Sequence, residues 1–351
     1  MPAKEYMNDR RLQILVFFFF LVCGAVVIFL TKNYRQTQEA PKQNTLPTLS
    51  LAFDYTPNTN HTGIYVAIQK GYYKDQGISV KLLPYSSTVS PEILVTTGKA
   101  DVGISYTEGV VTAAAAGSPV VSLATIIRHN TSSLVAIDNS GIKTPKDLDG
   151  KIYGGFGAPF ENAVVGEVIK KNGGKGTFKT VLLDIGGIKA LQTKKIDFAW
   201  IFDGWTGVQA KRQGVKLISF PLVENGIPDY YTPVFISAKP QIKKEPALLK
   251  KFMTATAKGY TYAILHPEES AQILIDSVQK GTFDDPAFVV ESQKYLSPRY
   301  TDLDKPWGVQ DEKAWHDFPS FILASGEIKD ASGSAVKIMD FSTLYTNEFI
   351  K

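Results

Sequence analysis

One cysteine is present in 351 residues, Cys23, and it lies inside an apolar run near the N-terminus. The rest of the chain therefore holds no disulfide framework, no cysteine-based zinc site and no cysteine nucleophile. Histidine is scarce too. His61, His129, His266 and His316 stand apart, none at metal-ligand spacing to another, so neither a metal nor a cofactor is indicated. Blocks of like charge are missing. The 38 basic and 34 acidic residues leave a net charge of +4 spread along the chain, which argues against a nucleic-acid partner. Outside the N-terminus there is no low-complexity tract, and no nucleophile motif accompanies the carboxylates.

What is present begins with "NDRRLQILVFFFFLVCGAVVIFLTKN". Arg10 and Arg11 precede 17 uncharged residues, Ile14 to Leu30. At about 1.5 Å per residue such a run just crosses a hydrocarbon core of roughly 30 Å. A signal-peptide core is usually shorter and ends in a small-x-small site, whereas Gln38 stands where the small residue before Ala40 should be. The expectation is an uncleaved, single-pass anchor. Lipidation at Cys23 and cleavage are the alternatives, and each leaves the following domain outside the cytoplasmic membrane. Residues 1–31 are read as tail and anchor, and 32–47 as a polar tether.

The remainder shows an α/β rhythm. Strand-like runs such as "TLSLAF", "SVKLLPY", "DVGISY", "KIYGGF" and "DFAWIF" alternate with helical ones, the pattern of parallel sheets covered by helices. The order of parts repeats. "LSLAFDYTPNTNHTGIYVAIQKGYYKDQG" and "KIYGGFGAPFENAVVGEVIKKNGG" both run strand, loop, helix, glycine. "EILVTTGKADVGISY" matches "IKALQTKKIDFAWIF", which aligns Asp101 with Asp197 and Lys99 with Lys195. Two similar lobes are expected, 48–135 and 136–237, with a return to the first lobe and C-terminal helices in 238–351. Ligands of open α/β sheets bind beyond the carboxyl ends of the strands. That rule selects 54–61, 85–88, 106–108, 156–161 and 200–205.

The stretches "DYTPNTNHTGIYVAIQKGYYKDQGISV", "GKADVGIS", "KDLDGKIYGGFGAPFE" and "DFAWIFDGWTG" resemble the periplasmic-type binding proteins for thiamine-pyrimidine precursors. These sit within the wider group of sulfonate- and taurine-binding proteins and the fungal thiamine pyrimidine synthase. The resemblance covers about 48–330, and Pro-Asn-Thr-Asn-His-Thr-Gly is its most specific part. It implies a type II periplasmic-binding-protein fold that closes over a small aromatic ligand. An ABC permease and its ATPase are the implied partners, and the membrane is reached through the N-terminal helix. The synthase's cysteine-rich motif has no counterpart in "DYYTPVFISAKP", so the enzyme reading is not favoured. A sensor would need an output domain that the dozen or so residues before the apolar run do not supply.

Each candidate side chain has a plainer reading beside the functional one. Asp54, Asn58, Asn60 and His61 offer an acceptor, two amides and an imidazole, the mixture an aminopyrimidine needs. They also suit a self-capping loop. Glu161 opens a helix, where the dipole favours a carboxylate; the resemblance makes it a partner for an exocyclic amine. Gly154, Gly155 and Gly157 before it are a weak candidate for an anion nest. Tyr106, Trp200, Trp205 and Tyr231 are candidate stacking rings, with core packing the alternative. Asp203 bonds the ligand or caps a turn. Riboflavin or another flat vitamin is the second choice of ligand. A sulfonate such as taurine is third, because Arg128 is the one arginine near an expected strand end.

Overall fold

The computed structural model describes residues 14, 16, 17, 19, 21–30, 32, 46–183 and 187–350. The chain divides into two compact units, Met1–Leu46 and Pro47–Lys351. In the first, residues 21–30 are helical, and Cys23 is exposed. Among the described residues no helix is long and apolar enough to cross a membrane. Part of the expected span, and most of the tail and tether, lie outside the described residues.

The second unit holds two five-stranded sheets. The strands are β1 (Thr48–Ala52), β2 (Ser79–Leu83), β3 (Val102–Ser105), β4 (Val120–Thr125), β5 (Ser132–Ile137), β6 (Ile152–Gly155), β7 (Lys179–Leu182), β8 (Phe198–Phe202), β9 (Leu217–Pro221) and β10 (Val234–Ala238). The first sheet has the order β2-β1-β3-β10-β4 and the second β7-β6-β8-β5-β9. β1 pairs in parallel with β2 and β3, and β6 with β7 and β8. In each sheet one antiparallel strand is inserted, β10 in the first and β5 in the second. Each inserted strand arrives from the other lobe. β4 and β10 are buried along their whole length, which accounts for their mostly apolar composition. The chain crosses between sheets at 126–131 and 222–233. Both crossings come a few residues before the expected boundaries, since Ser132–Ile137 lies wholly in the second sheet and Val234–Ala238 in the first.

The internal repeat is physical. Asp101 and Asp197 do the same work in the two lobes. Asp101 Oδ2 accepts from the Ser50 amide at 2.7 Å, and Asp197 Oδ2 accepts from the Ile152 amide at 2.8 Å. Each carboxylate thus pins the turn after a helix to the start of the neighbouring parallel strand. The turns match as well: Lys99 N donates to Leu94 O at 2.9 Å and Lys195 N to Ala190 O at 3.0 Å. Both turns need a left-handed residue. The first lobe uses Gly98, at φ +69°, and the second uses Lys194, at φ +56°.

Helices α1 (Thr62–Gln69), α2 (Thr107–Ala115) and α3 (Glu161–Lys171) follow β1, β3 and β6. Helices α4 (Pro246–Leu265), α5 (Pro267–Ser277), α6 (Pro286–Leu296) and α7 (Glu312–Ala324) form the C-terminal part. α1 and α4 cross closely at two glycines. A Cβ on Gly259 would lie 2.0 Å from the Gly63 carbonyl oxygen, and one on Gly63 would lie 2.3 Å from the Tyr260 ring. That approach brings Tyr260 to the loop after β1.

A left-handed conformation costs an L-residue roughly 1–2 kcal/mol, and glycine escapes it. Lys194→Gly should therefore raise unfolding free energy by about 0.5–1 kcal/mol. Gly98→Lys should lower it by a similar amount, both read by urea denaturation.

Candidate functional site

The loop after β1 is built around His61, which is fully buried. Its Nδ1 accepts from the Asn58 amide at 3.3 Å, so its Nε2 carries the proton it donates to Asp54 Oδ1 at 2.9 Å. The ring stacks on Phe53 at 4.5 Å. Asn58 caps the single turn 59–61 with its Oδ1, 2.8 Å from Asn60 N, and donates its own amide to Thr56 O at 2.9 Å. The C-terminal helices hold the same turn from behind. Tyr260 Oη donates to Asn60 O at 2.6 Å, Tyr300 Oη to Thr59 O at 2.5 Å, and Thr59 Oγ1 meets Ser292 Oγ at 2.6 Å. His61 and Asn58 are thus fully engaged within the loop. Asp54 is different. One oxygen is held by His61, the side chain is partly exposed, and no hydrogen bond to its Oδ2 is present among the described residues.

Glu161 is buried at the start of α3 and has its partners at home. Its oxygens accept from Tyr153 Oη at 2.8 Å, from Phe156 N at 2.9 and 3.1 Å, and from Ala158 N at 2.6 Å. The glycine loop is indeed an anion nest, and the anion it holds is Glu161 itself. Gly155 makes room for it, since a Cβ there would lie 2.4 Å from Glu161 Oε2.

The tryptophans and Asp203 divide between core and lobe contact. Trp200 is buried in β8, edge-on to Phe160 at 6.2 Å, and its Nε1 has no hydrogen-bond partner among the described residues. Trp205 lies in a π-helical turn, Asp203–Gly207, and packs edge-on against Phe288 at 4.5 Å and Phe283 at 6.1 Å. The Gly204 carbonyl of that turn accepts from Ser292 Oγ of α6. Arg212 reinforces the contact through Asp285 at 2.7 Å and Glu291 at 2.6 Å. Asp203 accepts from Ser133 Oγ at 2.8 Å, and burial pushes its carboxyl up to about 6.

Tyr231 belongs to the hinge. It is buried, its hydroxyl accepts from Asp311 N at 2.8 Å and Arg128 Nη1 at 3.3 Å, and burial pushes its phenol up to about 12. Arg128, the candidate sulfonate clamp, binds Asp302 at 3.0 Å, the Val309 carbonyl at 2.8 Å and Asp311. His129 beside it joins Asp229 of the second crossing, at 2.5 Å, to Asp302, at 2.9 Å. Those carboxylates, Asp229 first, raise its proton affinity. Both crossings and the 302–311 segment are tied together by these charges.

Tyr106 marks the cleft. It is 37% exposed, yet its hydroxyl is sunk enough for burial to raise its pKa, with Glu92, Glu108, Asp54 and Glu161 adding to the shift. Carboxyl groups of both lobes thus lie near Tyr106, and Phe160 of the second lobe lies 6.2 Å from its ring. More rings gather around it. Among the described residues of the second unit, the exposed aromatic side chains are Tyr55, Tyr85, Tyr106, Phe156 and Phe202. They stand at the carboxyl ends of β1, β2, β3, β6 and β8 in turn. Tyr55 and Tyr85 lie 5.4 Å apart. Reading the sequence by polarity passed over four of these five, although all lie inside the segments that the strand-end rule selects.

The profile of the family described as NMT1/THI5 like matches residues 58–270. A formylaminopyrimidine-binding protein of Halalkalibacterium halodurans is 26% identical over 294 residues, which are 82% of this chain and 88% of that one. A 4-amino-5-hydroxymethyl-2-methylpyrimidine phosphate synthase of Legionella pneumophila is 28% identical over 64% of this chain and 72% of its own. In structure, the periplasmic aliphatic sulphonate-binding protein SsuA of Escherichia coli superposes with a TM-score of 0.66 at 15% identity, covering 87% of this chain and 99% of that chain. The two-lobed fold is that of the periplasmic binding proteins.

Because the folded state holds Asp203 protonated more tightly than the value of 3.8 expected on unfolding, its contribution is complete below pH 3.8 and is lost as pH rises through about 6. Unfolding free energy of the wild type should fall relative to the Asp203→Asn variant between those pH values. A difference that stays level across that window would mean the carboxyl is solvated.

Proposed function

The chain belongs to the NMT1/THI5-like family, and from that premise we propose that it is the solute-binding subunit of an ABC importer, taking a thiamine pyrimidine precursor of the formylaminopyrimidine or hydroxymethylpyrimidine kind. The observation that carries this is the set of exposed rings at the strand ends of both lobes. Exposed aromatics on a soluble domain cost solvation unless something covers them, and five rings around one cleft suit a flat ligand. The formylaminopyrimidine-binding relative, which aligns over most of both chains, supports the pyrimidine over other flat molecules. Two features count against a sulfonate. Asp54 turns a partly exposed carboxyl to the cleft edge, and Arg128 is occupied in the hinge.

In this reading Tyr106 and Phe156 stack on the ligand from the two lobes, and Asp54 accepts a hydrogen bond through its unoccupied oxygen. Asn60 adds its side-chain amide. Ligand contacts from both lobes favour the closed arrangement, with rotation about 126–131 and 222–233, and the permease and ATPase respond to closure. The N-terminal apolar run keeps the domain at the outer face of the membrane, as a single-pass anchor that raises its concentration beside the permease. Relatives that are synthases share the family, and turnover of the bound pyrimidine is the reading to exclude.

Calorimetry on the full chain in detergent should show sub-micromolar binding of a formylaminopyrimidine and far weaker binding of riboflavin, taurine and an alkanesulfonate. Tyr106→Ala and Phe156→Ala should each weaken binding by about 1–2 kcal/mol, the stacking and burial of one ring face. Preference for riboflavin or a sulfonate would keep transport and discard the pyrimidine; release of a modified product would favour an enzyme. In cells the full chain should sediment with membranes and be cleaved by external protease, while a chain starting at Asn44 without a signal should be protected and soluble.

A further inference from the structure

Ser292 of α6 is fully buried, and its one hydroxyl serves both lobes. It donates to the Gly204 carbonyl, in the π-helical turn that follows β8. A serine hydroxyl has a single proton. In its other contact, 2.6 Å to Thr59 Oγ1, Thr59 is therefore the donor and Ser292 the acceptor. Thr59 is fully buried too and opens the single turn 59–61, directly after the Asn58 cap. Two bonds in series thus run from the loop after β1, through α6, to the second lobe. The ends are firmly assigned. α6 belongs to the first lobe, because it packs on α5 and α5 packs on α1. The Gly204 turn belongs to the second. Asp203 within it accepts from Ser133 Oγ of β5 at 2.8 Å, and the Asp203 amide donates to Thr131 O of the first crossing at 2.9 Å.

The junction exists because residue 204 is glycine. A Cβ there would lie 2.6 Å from Leu296 Cδ2, 2.8 Å from Leu296 Cγ and 3.0 Å from the Tyr295 ring. Around it Trp205 packs on Phe288, and Arg212 pairs with Asp285 and Glu291 nearer the surface. Thr59 has a second tie of a different kind. Its carbonyl accepts from Tyr300 Oη, and Gln293 Nε2 donates to that same hydroxyl at 3.1 Å. This tie lies wholly within the first lobe and is indifferent to where the second lobe stands. The tie through Ser292 is not.

We propose that Ser292 is a positioning residue that couples the set of the ligand loop to the seating of the second lobe. With Gly204 seated, the Ser292 proton is committed to its carbonyl, and the oxygen is turned to accept from Thr59. When the lobes part, the proton loses that acceptor. The alternative open to a serine inside a helix is the carbonyl four residues back, that of Phe288. Turning toward it carries the oxygen off Thr59, and a buried hydroxyl left unpaired is unfavourable, so the turn 59–61 loosens. The coupling is reciprocal. A ligand held by the loop favours the seated lobe, and a seated lobe readies the loop. The inference rests on a ligand bound between the lobes, as proposed above, and not on that ligand being a pyrimidine.

The test is hydrogen exchange at the amides of 58–63, read by mass spectrometry on the full-length chain in detergent. Gly204→Ala lies on the second lobe, yet it should speed exchange at 58–63 about tenfold while β1 and β10 keep their rates. Ser292→Ala should speed it by a similar factor. The double variant should be no faster than Ser292→Ala alone, because the link is already cut. A contact that merely contributes packing would instead multiply the two factors. Wild-type exchange at 58–63 in Gly204→Ala, or multiplied factors in the double variant, overturns the coupling. If Gly204→Ala does not fold, Arg212→Ala at the rim of the same junction replaces it, with about threefold expected and the same two criteria. All of these rates are read without ligand. A parallel run with N-formyl-4-amino-5-aminomethyl-2-methylpyrimidine should slow exchange at 58–63 in the wild type. If it does not, the pyrimidine reading falls, and the ligand-free rates still decide the coupling.

Discussion

The site depends first on one buried imidazole. His61 accepts from the Asn58 amide and donates to Asp54, and those two bonds set the path of the loop that leaves β1. Turning the ring or changing its tautomer would leave a backbone N–H unpaired and free Asp54 to swing. The C-terminal helices secure the same turn with the hydroxyls of Tyr260 and Tyr300. Tyr260 reaches it because Gly63 and Gly259 let α1 and α4 approach at a distance that any side chain would forbid. Residues almost 250 positions apart in the chain thus fix the orientation of one carboxylate at the cleft edge.

A second constraint is the hinge. Two crossings join the lobes, and charged side chains lace them to the 302–311 segment through Arg128 and His129. The interlobe contact at α6 is softer in kind, made of Trp205 on Phe288 and the exposed pairs of Arg212. Exposed ion pairs contribute little each, so this contact is suited to parting and re-forming, whereas at the hinge the Arg128 side chain itself is buried. In the proposed closure Tyr106 and Phe156, from opposite lobes, meet one ligand.

The site shows where reading by residue type succeeds and where it stops. Asp54 and Tyr106 stay partly exposed beyond the carboxyl ends of β1 and β3. Asn58 and His61 hold the loop itself, the plainer of the two readings a polar segment allows. Glu161 sits at the expected place with its expected glycines, but folding turns the nest inward onto its own carboxylate. Tyr231 and Trp205 carry hinge and lobe packing. The polar residues were conspicuous in the sequence, while Tyr55, Tyr85, Phe156 and Phe202 looked like ordinary strand-end apolar residues. Nothing local separates a ring that caps a core from one that lines a cleft. The difference is whether another layer of chain covers it.

The sequence by itself determined the α/β class, nine of the ten strands and the duplication, because alternation and run length are local properties of a chain. Asp101 and Asp197 were legible as equivalents because the same bond, from a carboxylate to the neighbouring strand's amide, is needed once in each lobe. Tertiary structure alone decided that β5 and β10 change lobes, since an antiparallel insertion leaves no mark within the strand. It alone decided which carboxylates are available, for that depends on donors brought from distant segments. Glu161 and Glu108 both open helices and both are buried. One meets the Tyr153 hydroxyl of β6 and two amides of the loop that follows, and the other meets a phenol, Tyr230, that only the folded hinge brings beside it.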